Sequence, residues 1–294
     1  MKIQNQLISV RNRILDIISR SNPDSVFNNS DLGDLMSGGE DPSARLHLSI
    51  QELLTSAMDD NAQVDYLGLR RSSAYAEYQK RSTSLQTFDP TSFVTREEKM
   101  AFWINLYNTL ILEAVINLDI KRSVTERFAG IGFFRKAAYL VNGKRVSCDD
   151  IEHGILRANR GHPYLGARQF RSDDPRSEWM IDPIDVRIHF ALNYASRSCP
   201  PIRAYTAENL EEQLDMAAGN FVSQEVEINP RDNSIELSTI FKWFSGDFGG
   251  QKGVIAFILK YFPDDELKAW LKSNGQNARL KYKPYDWGLN GRSH

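Results

Sequence analysis

The chain has 294 residues, with 36 Lys and Arg against 38 Asp and Glu, and its formal net charge at pH 7 is −2. A nearly neutral chain lacks the long-range field that attracts nucleic acid, and two cysteines are too few for the disulfide framework of a secreted protein. We therefore expect no nucleic-acid partner and a reducing, cytoplasmic environment.

The N-terminal segment is predicted to be an amphipathic helix followed by a polar linker. Apolar residues recur at helical spacing from Ile3 to Ile18, with arginines between them. A signal peptide would have a continuous apolar stretch, and a membrane span would need about 18 consecutive apolar residues, so we expect no membrane insertion. Residues 21–43 are rich in Asn, Ser, Gly and Pro. We assign residues 1–43 to this helix and linker and residues 44–294 to a single domain.

The most strongly patterned segment predicts a long helix that begins after Thr95. Thr95 and Glu98 have the spacing of a capping box. Both sides of the following helix are apolar, which predicts that its middle is buried all round. Asn105 and Asn108 would then lie in apolar surroundings and need partners, because an unsatisfied buried amide costs about 1–3 kcal/mol.

The next segments predict a hairpin, a helix and a strand. Residues 139–141 and 145–146 flank Asn142-Gly143, a type I′ turn signal, and Ser147 is suited to cap a helix that carries Glu152 and His153. In "VRIHFALN" apolar and polar residues alternate as in a half-buried strand. One face would carry Ile188, Phe190 and Leu192, and the other Arg187, His189, Ala191 and Asn193.

The C-terminal third predicts a helix after Thr206, two strands in "VEINPRDNSIELS", and two helices in "VIAFILKYF" and "DDELKAWLKSN". Helices and strands are segregated rather than alternating, which favours an α+β fold. We expect a mainly helical domain whose long buried central helix packs on a small antiparallel sheet.

Cys199 and His189 are candidates for a nucleophile and its base. A thiolate is favoured by a nearby histidine and by backbone N–H groups at a helix start, and Pro200 and Pro201 suit a first helical turn. Asn193, or Asn105 or Asn108, would orient the histidine. The alternative is that Cys199 only packs in the core, as free cysteines usually do, and we expect Cys148 to do so.

Other chemistry has weaker signals. His153, His189 and Cys199 do not have the short spacings of zinc ligands, so we predict neither a metal nor another cofactor. Asp247-Phe248-Gly249 lacks the other kinase motifs and is predicted to be a turn or cap. His47, His162 and His294 lie in polar segments and are expected at the surface.

Five segments of the chain resemble domain-of-unknown-function family 547 (DUF547). They are "FWINLYN" (102–108), "CDDIEHGILR" (148–157), "RIHFALNYASRSCPP" (187–201), "IFKWFSGDFGG" (240–250) and "YKPYDWGLN" (282–290). The resemblance extends over about residues 64–290. It implies a site built around Cys199 and His189. The positions that match the family's motifs are Trp103, Asn105, Tyr107, Asn108, Glu152, His153, His189, Asn193, Ser198 and Cys199. Many relatives have a cysteine where this chain has Tyr194, so a vicinal dithiol is unavailable here.

These observations predict a cysteine-dependent hydrolase or acyl transferase that acts on a peptide or a glutathione-like thiol. Cys199 would be the nucleophile and His189 the base, with Asn193 orienting, in an arrangement similar to papain-like hydrolases in permuted order. Binding or supporting roles would fall to Trp103, Asn105, Asn108, Glu152, His153, Arg187 and Ser198. The alternatives are a non-catalytic interaction or regulatory module and a monothiol redox protein that binds glutathione.

Overall fold

The computed structural model describes residues 2–22, 24–30, 42–57, 63–126, 131–262 and 266–292. The α-helices in these ranges are α1 Lys2–Ser19, α2 Pro42–Ser56, α3 Tyr66–Arg71, α4 Ser73–Ser82, α5 Arg96–Asn117, α6 Ile131–Lys136, α7 Leu210–Glu225, α8 Thr239–Trp243, α9 Gln251–Tyr261 and α10 Glu266–Asn274. The strands are β1 Ala138–Val141, β2 Lys144–Ser147, β3 Glu227–Asn229, β4 Ser234–Ser238 and β5 Arg279–Lys283. The predicted α+β class is confirmed.

Helix α5 is the centre of the larger hydrophobic cluster, as its sequence predicts. Thr95 accepts a hydrogen bond from the backbone N–H of Glu98, and the Glu98 carboxylate accepts one from the backbone N–H of Thr95, which completes the capping box. Every residue from Met100 to Ile116 is buried. A helix that is apolar on all sides is stable only when neighbours surround it, and α2, α3 and α6 pack around it here.

The predicted hairpin of β1 and β2 is confirmed, and it packs on the central helix. The strands are antiparallel, with Val141 opposite Lys144, and both turn residues have positive φ, 46° at Asn142 and 66° at Gly143. The Tyr139 hydroxyl of β1 donates a hydrogen bond to the Glu113 carboxylate of α5.

The C-terminal part forms a second hydrophobic cluster around a three-stranded sheet. Strand β4 pairs antiparallel with β3 and parallel with β5, so this sheet is mixed. Helices α7 and α9 contribute seven of the seventeen buried apolar residues of this cluster. Phe190 belongs to this cluster, while its neighbours Ile188 and Leu192 belong to the larger one.

The predicted strand over "VRIHFALN" is wrong. Residues Val186–Phe190 form a short 3₁₀ helix, and the Asp185 side chain accepts the backbone N–H of Arg187 at its start. An Asp side chain that accepts the backbone N–H two residues later favours a turn over an extended strand. Residues that alternate in the sequence therefore do not separate onto two faces: Arg187, Ile188, His189 and Phe190 are all buried.

Helix α1 is present as predicted, but its apolar stripe faces outward. Ile8 and Leu15 are buried against α6, whereas Ile3, Leu7 and Ile17 remain 75%, 63% and 71% exposed. Most of the predicted linker lies outside the described residues. Its described part is attached to the domain, because Asn28 donates hydrogen bonds to backbone carbonyls of Ser82 and Leu140.

Across the described ranges, no helix combines the length and apolar character that crossing a bilayer requires.

Candidate functional site

A cavity of about 270 Å³ lies between the segment after β2, helix α8 and the C-terminal segment, and we call it the aromatic pocket. Its aromatic lining residues are Phe134, Tyr164, Tyr194, Trp243, Phe244 and Trp287. Its ionisable lining residues are Asp149, Glu152, His153 and His162. Convergent polar groups in an apolar cavity are typical of small-molecule sites.

A π-helix, Asp150–Leu156, supplies two of these ionisable groups. Ser147 holds its start, because its hydroxyl accepts the backbone N–H of Asp150 at 3.2 Å. Gly154 is required in its last turn, since a Cβ there would lie 2.3 Å from the Phe170 ring. The extra residue per turn is energetically poor and is frequent at functional sites, and here it accompanies Glu152 and His153 on the pocket wall.

Glu152 is buried and receives two phenolic hydrogen bonds. Tyr107 donates to Oε2 at 3.1 Å and Tyr194 donates to Oε1 at 3.0 Å. Burial raises the pKa of Glu152 to about 7, although the Arg157 charge and the two phenols act in the opposite direction. A carboxyl group with this pKa gains and loses its proton near neutral pH.

Asp149 is the second carboxyl group of the pocket. Burial, together with the neighbouring charges of Asp150 and Glu152, raises its pKa to about 7, although Arg135 and Arg11 lower it. Two carboxyl groups in one pocket therefore titrate in the same pH range.

Both histidines of the pocket are neutral at pH 7. Arg157 can only donate, so its Nη1, 3.0 Å from His153 Nδ1, makes that nitrogen the acceptor and places the ring proton on Nε2. Burial and the Arg157 charge hold the pKa of His153 well below its usual value, and they lower that of His162 to about 4. The rings meet edge to face at 5.0 Å. His162 was expected at the surface, but it is half-buried in the pocket wall; His294 lies outside the described residues.

Behind the pocket, Asp247 joins Arg157 to His189. Arg157 Nε and Nη2 donate to the Asp247 carboxylate at 2.6 and 3.1 Å, and His189 Nε2 donates to it at 3.0 Å. His189 is fully buried and stacks on Phe244 at 3.9 Å. Burial lowers the pKa of His189 to about 4. The sequence predicted Asp247 only as a turn or cap residue. The one sequence signal for its link to Arg157 and His189 was its position in the segment "IFKWFSGDFGG", which resembles the family.

The thiol of Cys199 has a different set of partners. Its Sγ accepts the backbone N–H of Tyr194 at 2.9 Å and lies 3.0 Å from the Tyr285 hydroxyl and 3.1 Å from Ser196 Oγ. Burial raises its pKa, although these hydrogen bonds lower it. Cys199 lines a separate opening of about 180 Å³. Among the described residues, Cys199 therefore hydrogen-bonds to Tyr194, Ser196 and Tyr285. His189 hydrogen-bonds to Asp247 instead.

The asparagines predicted to orient His189 hold backbone segments. Asn108 donates to the Ala191 carbonyl and accepts the Asn193 N–H, at 3.0 and 2.9 Å. Asn105 exchanges a similar pair of bonds with Tyr205, at 2.7 and 2.9 Å.

Side-chain hydrogen bonds also hold the backbone of the loop that carries Cys199. Asn193 donates to the Pro200 carbonyl at 2.7 Å and accepts the Ala195 N–H at 2.7 Å. Ser198 accepts the backbone N–H of Asp286 at 2.9 Å. These bonds fix the shape of the loop around the thiol.

Two other predicted residues lie apart from the pocket lining. Trp103 is fully buried and stacks on Trp179 at 5.9 Å. Arg187 forms ion pairs with Asp185, Glu211 and Asp215.

Cys148 is fully buried, as expected for a packing residue. Among the residues that the structure describes, no group of three or more His, Cys, Asp and Glu side chains could hold a metal ion.

Residues 91–222 match the family model described as "Protein of unknown function, DUF547". No curated protein and no solved structure matches the chain. The matched segment contains α5, the π-helix and Cys199, whereas Asp247, Trp243 and Trp287 lie beyond it. The segment 91–222, which supplies Glu152 and His153 to the pocket, is therefore similar to the DUF547 family.

Proposed function

We propose that the chain is an acid–base enzyme of the hydrolase or transferase class, with the aromatic pocket as its active site and Glu152 as its proton donor and acceptor. The observation that carries the proposal is the Glu152 carboxyl group, buried on the wall of an aromatic cavity with a pKa of about 7. Perturbed carboxyl groups in a cleft favour a catalytic site, because general acids and bases work best when their pKa is near the ambient pH.

The second carboxyl group completes the chemistry. With Asp149 and Glu152 both titrating near neutrality, one can hold a proton while the other is ionised. In a hydrolysis the protonated group would give its proton to the leaving atom, and the ionised one would take a proton from the attacking water. The scissile bond breaks, a bond to the water oxygen forms, and the pair ends with the same number of protons.

His153 would position the substrate. Its Nδ1 is occupied by Arg157, so its Nε2–H is the donor left for a substrate oxygen or nitrogen. Because burial keeps the ring neutral, it would donate this hydrogen bond without exchanging the proton.

The experiment is a titration of the carboxyl groups by ¹³C NMR with labelled glutamate side chains. The Glu152→Gln variant assigns the Glu152 signal, and Glu178→Gln, at an exposed residue outside the pocket, is the matched control. We expect a midpoint near pH 7 for Glu152. A midpoint near 4.5 would contradict the proposed role.

Activity is then measured on chromogenic esters, amides and glycosides with the same variants. Glu152→Gln should abolish any turnover that the unchanged chain shows, whereas Glu178→Gln should retain it. Turnover that survives Glu152→Gln would place the chemistry elsewhere.

A Cys199-dependent hydrolase or acyl transferase is the second candidate. The observation that favours it is the set of donors around the Cys199 sulfur, since a backbone N–H and two hydroxyl groups would stabilise a thiolate. In this case Cys199→Ser would abolish turnover and Glu152→Gln would spare it. Loss of stability in both variants, without any turnover to lose, would favour a non-catalytic module.

A further inference from the structure

We infer that the ligand of the aromatic pocket is a small organic cation, such as a primary or quaternary ammonium. This inference rests on the proposed function, because the ligand would occupy the same pocket, but it is decided by separate measurements. Its basis is the combination of aromatic rings and carboxyl groups in one cavity.

Six aromatic residues line the cavity. Trp243 and Trp287 stack at 5.5 Å, with 26° between their planes, and the Tyr194 ring lies 6.4 Å from Trp287. Tryptophan has the strongest attraction for a cation placed over its face, and several rings together form the cages that hold quaternary ammonium groups. The Phe244 ring is already in contact with the Arg157 guanidinium, 4.8 Å from its centroid, and with the stacked His189 ring at 3.9 Å, so the cation would lie against the other rings.

The charged residues of the lining also favour a positively charged ligand. Asp149 and Glu152 are its acidic residues, and no Lys or Arg stands among the described residues that line it. His153 and His162 are neutral at pH 7 and do not oppose a cation.

Three arginines act on the two carboxyl groups, and each makes contacts elsewhere. Arg11 donates hydrogen bonds to the backbone carbonyls of Ala167 and Gln169. Arg157 is held by Asp247 behind the wall. Arg135, which acts on Asp149, forms an ion pair with Asp16 at 2.5 Å. The negative charge of Asp149 and Glu152 is therefore left available to an ammonium group.

The size of the cavity limits the ligand. About 270 Å³ lies just below the usual range of pockets for drug-sized molecules. Small alkylammonium ions fit this volume. A neutral sugar could also stack on the tryptophans, so the experiment has to separate charge from stacking.

The test is calorimetric titration of the full chain with three cations: tetramethylammonium, choline and butylammonium. The matched neutral ligands are 3,3-dimethylbutan-1-ol, which has the shape of choline with carbon in place of nitrogen, and glucose. We expect at least one cation to bind with a Kd below about 10 mM, and choline to bind at least about tenfold more tightly than its neutral isostere. Failure of all three cations, equal binding of the isostere, or binding of glucose alone would overturn the inference.

Two variants locate the binding. Trp243→Leu removes a π face and Asp149→Asn removes a charge, and each should weaken cation binding about tenfold or more. Trp270→Leu is the control, because Trp270 is also half-buried but packs in the second hydrophobic cluster. If Trp243→Leu lowers the folded fraction by circular dichroism, Asp149→Asn decides. Equal affinities in Asp149→Asn and the unchanged chain would overturn the inference.

The two proposals can fail separately. Cation binding with a Glu152 midpoint near 4.5 would leave a binding pocket without an acid–base role. A Glu152 midpoint near 7 with no cation binding would leave the acid–base site and remove the cation.

Discussion

Asp247→Asn should lower the stability of the fold and also change the proton affinity of the pocket. The Asp247 and Arg157 side chains are 3% and 4% exposed, and they form a two-pronged ion pair with distances of 2.6 and 3.1 Å. An amide in this position would leave the Arg157 charge buried without its counter-ion. Removing one partner of a buried pair costs about 3–5 kcal/mol, and we expect a loss of this size in the free energy of unfolding.

The same substitution should change the proton affinity of Glu152. The Asp247 charge contributes to the raised pKa of Glu152, whereas the Arg157 charge lowers it. Once Asp247 is neutral, its charge no longer offsets that of Arg157, so the pKa of Glu152 should fall below about 7.

Urea denaturation measures the first effect and ¹³C NMR of the labelled glutamate the second. Asp232→Asn is the matched control, because the Asp232–Lys281 pair has a 3.7 Å separation and side chains that are 53% and 41% exposed. Such a pair is worth at most about 1 kcal/mol. Equal losses of stability in the two variants would refute the reasoning about the buried pair, and an unchanged Glu152 midpoint would refute its link to the pocket.

Three further predictions concern titration and packing. Burial raises the pKa of Glu152 from 4.5 to about 7, so between these pH values the unfolded chain loses the proton first and the free energy of unfolding falls as pH rises. Glu152→Gln removes this loss, so from pH 4.5 to 7 its free energy of unfolding should rise by about 3 kcal/mol relative to that of the unchanged chain. Urea denaturation of both chains at several pH values measures this difference. A difference that does not change with pH would contradict the raised pKa of Glu152. Iodoacetamide should alkylate Cys199 only at a pH above the ordinary range for a thiol, and His189→Ala should leave the rate unchanged, because His189 bonds to Asp247; a slower reaction would support the Cys199–His189 pair instead. Asn108→Ala should lower stability by about 1–3 kcal/mol for each of the two backbone groups that it leaves unpaired, as measured by thermal unfolding, and a smaller loss would mean that water replaces the amide.

The elements that the sequence predicted correctly are those with local signals. The capping box at Thr95 and the Asn142-Gly143 turn each lie within four consecutive residues, and each has the predicted hydrogen bonds or backbone angles. The "VRIHFALN" segment failed because alternation alone does not make a strand. A strand also needs a neighbour with which to pair, and the Asp185 cap competes locally for the same backbone.

The connections of the site could not be read from the sequence, because they span long separations. Asp247 is 90 residues from Arg157 and 58 from His189, and Tyr107 is 45 residues from Glu152. No local pattern specifies these pairs. Trp243 and Trp287 belong to segments that resembled the family, but nothing in their spacing indicated that they line one cavity with Glu152.

The hydrogen bonds divide the predicted site residues into two groups with different physical reasons to be there. Asn105, Asn108 and Asn193 each bind a backbone N–H and a backbone carbonyl, so the requirement to satisfy buried backbone groups accounts for them without any catalytic role. These three asparagines therefore add no support for chemistry at the Cys199 thiol. Glu152 and His153 differ, because their side chains satisfy no backbone group, and burying Glu152 costs stability at neutral pH. A buried group that destabilises the fold and faces a cavity needs a functional reason, and the pocket provides one.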